Sequence, residues 1–430
     1  MDDVPLSVFA FVGGPIMNAA FSPKHPEQYD PKILVSKISG ILYGASIGDA
    51  ISLGSEFMTP NEVLFHYSQY NSVHTLEIQN HFKTKPAHVV PNSQTESRGI
   101  METRSETESE RREREPSVVS SEANQGIIPS SSFGVIHTRI DQYPVYDDII
   151  RDRHRIRWLP GDWSEKTDLA VMLLTSVIKA GHFTEYTFAD IITRYKFEGL
   201  NSFDDKAGFG LTKTLNILAN TKEYTHNPIE CSKQMWENSK EKNLECQCIP
   251  HSILVAIPFF DDEASLKETI IGCCKTTHYD LRCIGVCLLL GQILSKSIAA
   301  TESELDTIQK RHQILMNISA SVKTYFQEQG DIELLKAILS VHDNWCEVLQ
   351  IRDFIHEKAM GDLYESCLYG VFFFVYDYPF INAILRVFME GGNSCVNSFV
   401  VGSIIGAKKG VNHVVLSAPV FVNSCYYHSF

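Results

Sequence analysis

Segment after segment of this chain repeats apolar residues at the spacing of a helix face, and the two-residue alternation of a half-buried strand is hardly seen. From Pro31 onward, Leu34, Ile38, Ile41, Leu42 and Ala45 recur on one face, so a helix begins there. The same periodicity predicts helices over 169–178, 188–195, 210–218, 229–238, 263–275, 280–296, 302–327, 332–339, 380–389 and 398–409. Two apolar runs, 283–294 and 367–376, fall short of the roughly 20 residues that cross a bilayer, and Arg282 and Asp377 interrupt them. They read as buried core helices, with no membrane partner. The expected architecture is a compact all-α bundle over residues 31–415.

One region breaks the pattern. Residues 94–115 read QTESRGIMETRSETESERRERE, and serine and proline dominate the stretch up to Ser132. Such a composition cannot bury enough apolar surface to offset its conformational entropy, so 83–132 is expected to be a low-complexity, disordered insertion. Residues 1–30 form a poorly specified lead-in without the basic flank and cleavage site of a secretory signal, and 416–430 a short tail.

The 38 basic residues face 52 acidic ones, a formal charge of -14, which draws the chain neither to nucleic acid nor to an anionic membrane. Eleven cysteines include no Cys-x-x-Cys pair, and Cys246/Cys248 and Cys273/Cys274 are too close to build a zinc site alone. Reduced, mostly buried thiols in a cytoplasmic or nucleocytoplasmic protein are expected.

The chemistry concentrates where turns meet helix starts. In Trp158-Leu159-Pro160-Gly161-Asp162-Trp163-Ser164-Glu165-Lys166-Thr167-Asp168, Pro160-Gly161 breaks regular structure, Ser164 can cap a helix, and Glu165 places a carboxylate in the first turn. The preceding mixed-charge stretch, 136–157, reads as a solvated helix or loop. In Gly44-Ala45-Ser46-Ile47-Gly48-Asp49-Ala50, small residues four apart admit another backbone closely, and Asp49 and Glu56 add carboxylates at the end of that segment. No strand precedes these glycines, so a phosphate-binding loop is a poor reading. Gly208-Phe209-Gly210 and Gly391-Gly392 mark turns ahead of further helices. A cysteine nucleophile at Cys246, Cys248 or Cys395 with His251 or His278 as base finds no support in spacing.

Five stretches in order, 40–57, 157–178, 204–218, 276–290 and 386–410, resemble the ADP-ribosylglycohydrolase family. The motifs are G-A-S-I-G-D-A at 44–50 with Glu56, P-G-D-W at 160–163, Thr277-His278-Tyr279-Asp280, and the closing loop and helix at 391–406. The resemblance implies an all-α fold around a two-magnesium site that hydrolyses the bond between ADP-ribose and a modified protein side chain. By that resemblance Glu56 and Glu165 are catalytic, and Asp49, Gly208, Gly210 and His278 border the ADP-ribose. Ser164, Glu165 and Asn393 are the metal-ligand positions that survive.

The departures from the family pattern lie in both halves of the site. Ser164-Glu165-Lys166 stands where the family has Thr-Asp-Asp, and Asn393-Ser394-Cys395-Val396 where it has Asp-x-Asp-Thr. An ammonium replaces one carboxylate, Cys395 offers a soft sulfur that magnesium disfavours, and Val396 offers nothing. The segment Glu245 to Ser252 replaces an Asn-Gly and Met-Arg of the family. Magnesium is therefore expected to bind weakly or be absent, with an internal ion pair of Lys166 and Glu165 in its place. A hydrolase of ADP-ribosylated protein and a catalytically impaired binder of ADP-ribose or a protein partner are the two functions this implies.

Overall fold

A computed structural model describes residues 23–68, 148–159, 161–199, 210–240, 244–356 and 363–417. The insertion at 83–132, residues 1–22, Gly208 and nearly all of the tail lie outside the described residues. Seventeen α-helices and no β-strand occur among the described residues. In chain order they are α1 (Pro31–Ser52), α2 (Pro60–Tyr67), α3 (Glu165–Ala180), α4 (Glu185–Glu198), α5 (Lys213–Asn220) and α6 (Pro228–Asn238). There follow α7 (Ile249–Leu254), α8 (Glu263–Thr277), α9 (Leu281–Ala299), α10 (Glu302–Leu305), α11 (Ile308–Val322) and α12 (Gln329–Leu339). The chain closes with α13 (Trp345–His356), α14 (Leu363–Val375), α15 (Phe380–Glu390), α16 (Ser394–Lys409) and α17 (Val411–Ser417).

Side-chain caps explain where many of these helices start. Asp30 accepts from the Lys32 amide, Thr59 and Glu62 form a reciprocal capping box, and Ser164, Thr184, Thr212 and Asp280 each accept from an amide of the first turn. Gly181, at φ 74°, ends α3 in the left-handed conformation that glycine adopts without strain.

The centre of the molecule is the contact between α1 and α16. Gly40, Gly44 and Gly48 on α1 face Gly406, Gly402 and Ser398 on α16 so closely that a methyl group on any of the three α1 glycines would overlap the opposing main chain. The four-residue spacing of small residues thus serves a backbone-to-backbone crossing. Ser52 Oγ donates to Ser398 Oγ at 2.6 Å, and Ser394 Oγ donates to the Ser52 carbonyl at 2.9 Å, which fixes the register at the end nearest Glu56.

Two expectations need correction, and a third holds. The segment 302–327 is a short α10, then α11, then a 3-10 turn; Arg311 binds the carbonyls of Leu305 and Val375 and pairs with Asp377 at 2.9 Å, holding the break in place. Helix α16 starts at Ser394, four residues before the expected start, so Cys395 and Val396 are helical and fully buried. Helix α9 is longer than the apolar run read from sequence and is by length and composition apolar enough to cross a membrane, yet most of it is buried against α7, α8, α11, α14 and α16. It is a core helix.

Candidate functional site

Asp49 lies in the last turn of α1, and Glu56 just beyond it, in a turn held from outside by Arg155. The Arg155 guanidinium donates from Nε to the Gly54 carbonyl at 2.8 Å and from Nη2 to the Glu56 carbonyl, and it pairs with Asp152. Arg155 is buried. The mixed-charge stretch that ends at Arg157 is therefore not a solvated face at this position: arginine can satisfy several carbonyls at once, which no apolar residue could do. Phe57, next to Glu56, sits at φ 61°, a conformation that costs a bulky residue of order 1–3 kcal/mol. Its amide donates to the Gly392 carbonyl at 2.8 Å, and the Gly392 amide returns a bond to the Met58 carbonyl at 2.8 Å. The Gly391-Gly392 turn thus ties the closing loop to the Glu56 turn, and a Cβ at Gly391 would collide with the Met58 carbonyl.

At the start of α3, Ser164 donates from both its amide (3.1 Å) and Oγ (2.8 Å) to Asp49 Oδ2, and Thr167 Oγ1 donates to the same oxygen at 2.6 Å. Asp49 Oδ1 is buried and has no hydrogen-bond partner. Burial raises the Asp49 carboxyl above its usual range, with Lys166 and Thr167 partly offsetting it. Lys166 reaches across from α3: its Nζ is 2.8 Å from Glu56 Oε1 and 2.9 Å from Glu165 Oε1. All three side chains are at most 5% exposed. Burial pushes Glu165 up to about 7 against the pull of Lys166. Burial also opposes the charge on Lys166, but Glu165 and Glu56 outweigh it and hold the ammonium well above the usual lysine range. Gly210, at φ 81°, brings its Cα against the Glu165 carboxylate so tightly that a Cβ there would overlap it.

The closing loop completes this side of the site. Asn393 is buried and donates from Nδ2 to Cys246 Sγ at 3.0 Å. Cys395 Sγ donates to the Asp49 carbonyl at 3.5 Å, and Val396 packs in the core. Burial raises the thiols of both Cys246 and Cys395, which leaves them protonated and disfavours a thiolate nucleophile at either position.

The rewritten segment joins this cluster to a second one. Glu245 Oε2 lies 3.9 Å from His278 Nε2, while the neighbouring Cys246 contacts Asn393. His278 Nδ1 bonds to Thr277 Oγ1 at 2.9 Å, and that hydroxyl also meets His251 Nε2 at 3.4 Å. Burial drives His251 down to about 3, so it is a neutral imidazole at any ordinary pH. Asp280 caps α9 and is engaged by Trp236 Nε1 at 2.9 Å and by Arg282 at 2.7 Å. Its role is to orient that helix start.

Of the expected site residues, Asp49, Glu56, Ser164, Glu165, Lys166 and Gly210 meet at the junction of α1 and α3. Asn393, just ahead of α16, and Cys395, in its first turn, approach it, and His278 stands on the other side of the 245–252 segment. Gly208 lies outside the described residues. The parts played by Arg155 and Phe57 have no signal in the sequence, since an arginine in a charged stretch carries no local mark of burial.

A family model for ADP-ribosylglycohydrolase matches residues 104–417. The chain therefore belongs to the ADP-ribosylglycohydrolase family, a group of metal-dependent hydrolases that act on ADP-ribosylated substrates. The match begins after α1, so the helix that carries Asp49 precedes it. Among solved structures, a chain described as an ADP-ribosylglycohydrolase-related protein complex is similar at 12% identity and a TM-score of 0.45, with 93% of this chain and 100% of that chain covered. A comparison with curated proteins finds no match.

Proposed function

We propose that this chain is a non-hydrolysing member of its family, in which the Lys166 ammonium stands in for the metal and which binds ADP-ribose or an ADP-ribosylated protein. The observation that carries this reading is Lys166 Nζ lying within 2.9 Å of both Glu56 and Glu165 in a site sealed from solvent. Magnesium asks for about six oxygen donors near 2.0–2.1 Å and gives up its water reluctantly. Here a single fixed cation already sits between two of the three carboxylates, Glu56 and Glu165, and the Ser164 hydroxyl is engaged by Asp49. A dication placed beside that ammonium meets repulsion in a region of low dielectric, where it is least screened. The donor set does not fit the family's metal.

The free thiols of the ten described cysteines support a reducing compartment, cytoplasm or nucleus. A hydrolase in which Ser164, Glu165 and Asn393 hold an ion and Glu56 assists is the second reading. It is favoured by the buried Asp49 Oδ1 and Glu56 Oε2, two carboxylate oxygens without hydrogen-bond partners.

Calorimetric titration with ADP-ribose, with and without magnesium, separates the two, combined with an assay for ADP-ribose release from modified arginine and serine peptides. The expected result is ADP-ribose binding indifferent to magnesium, and no release. Tight magnesium binding or magnesium-dependent release would establish the hydrolase instead, and an absence of ADP-ribose binding in all conditions would remove the ligand from the proposal.

A further inference from the structure

Away from Lys166, the fold gathers cysteines that are far apart in sequence. Cys248 ends a 3-10 turn at the start of α7, Cys274 lies in the last turn of α8, and Cys283 and Cys287 are one turn apart on α9. The sulfurs of Cys248, Cys274 and Cys287 all lie within 4.8 Å of one another, and those of Cys248 and Cys287 are 3.7 Å apart. The Cys283 thiol interacts with Cys248 as well. All four side chains are buried to 0% exposure.

Hydrophobic packing alone does not ask for this arrangement, since a valine or alanine would fill each position without grouping polarisable sulfur. Tetrahedral zinc–thiolate sites place sulfur about 2.3 Å from the metal, which sets the sulfurs roughly 3.8 Å apart. The Cys248–Cys287 separation already has that value. Three sulfurs within 4.8 Å of one another share a point no more than about 2.8 Å from each, so contraction by about half an ångström would bring them to bonding distance.

We propose that Cys248, Cys274 and Cys287, with Cys283 in the fourth position, form a structural site for a thiophilic d10 cation, Zn2+ or Cu+. Each coordinating thiol releases its proton to solvent as its sulfur binds, and no oxidant or reductant takes part. The ion offsets only part of the charge of three or four thiolates, two units for Zn2+ and one for Cu+, and soft sulfur rather than hard oxygen selects against magnesium and calcium. Because the cluster is enclosed, the ion enters while α7, α8 and α9 assemble, and it joins three helices around the core.

The test is to unfold the full chain in reducing, chelator-free buffer, refold it with Zn2+, Cu+ or Co2+ in turn, desalt, and measure bound metal by elemental analysis. One ion per chain is expected, identified as zinc or copper in protein purified from cells. With Co2+, a thiolate-to-metal charge-transfer band and tetrahedral d–d absorption are expected. Cys248→Ser and Cys287→Ser should each lose at least about tenfold in metal affinity, whereas Cys346→Ser, outside the cluster, should lose none. Refolded, unaltered chain that holds no metal and shows no cobalt–thiolate band overturns the site even if the variants fail to fold. So does metal retained equally by folded Cys248→Ser, or a Cys248–Cys287 disulfide in freshly purified protein.

Discussion

The clearest consequences at the residue scale come from Lys166. Removing a buried ammonium leaves carboxylates that no longer have a partner, a loss of about 3–5 kcal/mol where one member of a buried pair is deleted. Lys166→Met should therefore destabilise the chain by about 3–5 kcal/mol at pH 8, measured by urea denaturation, and by clearly less at pH 5, where Glu165 takes up a proton. The pH dependence of the parent arises from the same groups. Glu165 is raised to about 7 in the folded chain, so its contribution is complete below its unfolded value and is lost as pH rises through 7. His251 acts in the opposite direction: depressed to about 3, it supports the fold above its unfolded value near 6.5, and that support drains away as pH falls toward 3. Between pH 6 and 4 His251→Gln should flatten the acid limb of the stability profile, whose slope for one such group is about 1.4 kcal/mol per pH unit. An unchanged acid limb would mean that His251 is protonated in the folded chain.

Among the elements, α1 and α16 form the joint on which the site depends. Gly44 and Gly402 touch through their main chains, and each side chain added there must push two helices apart. Overpacking a core costs typically 1–3 kcal/mol, and here the obstacle is backbone and not a side chain that can turn aside. Gly402→Ala should lower stability by roughly 3 kcal/mol or more, whereas Gly330→Ala, which has open space around it, should be tolerated. Because Asp49 and Ser52 ride on α1 while Ser394 and Cys395 ride on α16, the same substitution should also shift the Glu165 and Lys166 titrations, which can be followed by NMR. The small-residue spacing on α1 was legible in the sequence. Its partner was not, because the matching stripe lies some 350 residues away and nothing local marks the two as a pair.

On the scale of the whole molecule, the segments on either side of residues 69–147 are joined by contacts that do not depend on chain continuity. The Ile150 amide donates to Tyr67 Oη at 3.2 Å, Arg155 holds the Gly54 and Glu56 carbonyls, and Ser164 and Thr167 hold Asp49. A specific protease site introduced within 94–115 should, once cut, yield two fragments that co-elute in gel filtration and keep the helical circular-dichroism signal. Fragments that separate would mean that these contacts are too weak to hold α1 against the remainder.

Helical periodicity, turn residues and caps in the sequence by themselves determined that the chain is all-α, where most helices lie, and which motifs ally it with its family, because these are signals of neighbours in sequence. The exchange of a carboxylate for Lys166 was equally readable. Only the tertiary structure decided that Lys166 is shared between Glu56 and Glu165, that Arg155 is buried beneath the site, and that three cysteines from three helices converge. Those outcomes depend on which distant side chains burial brings within a few ångströms, and electrostatic and coordinate bonds act at that range.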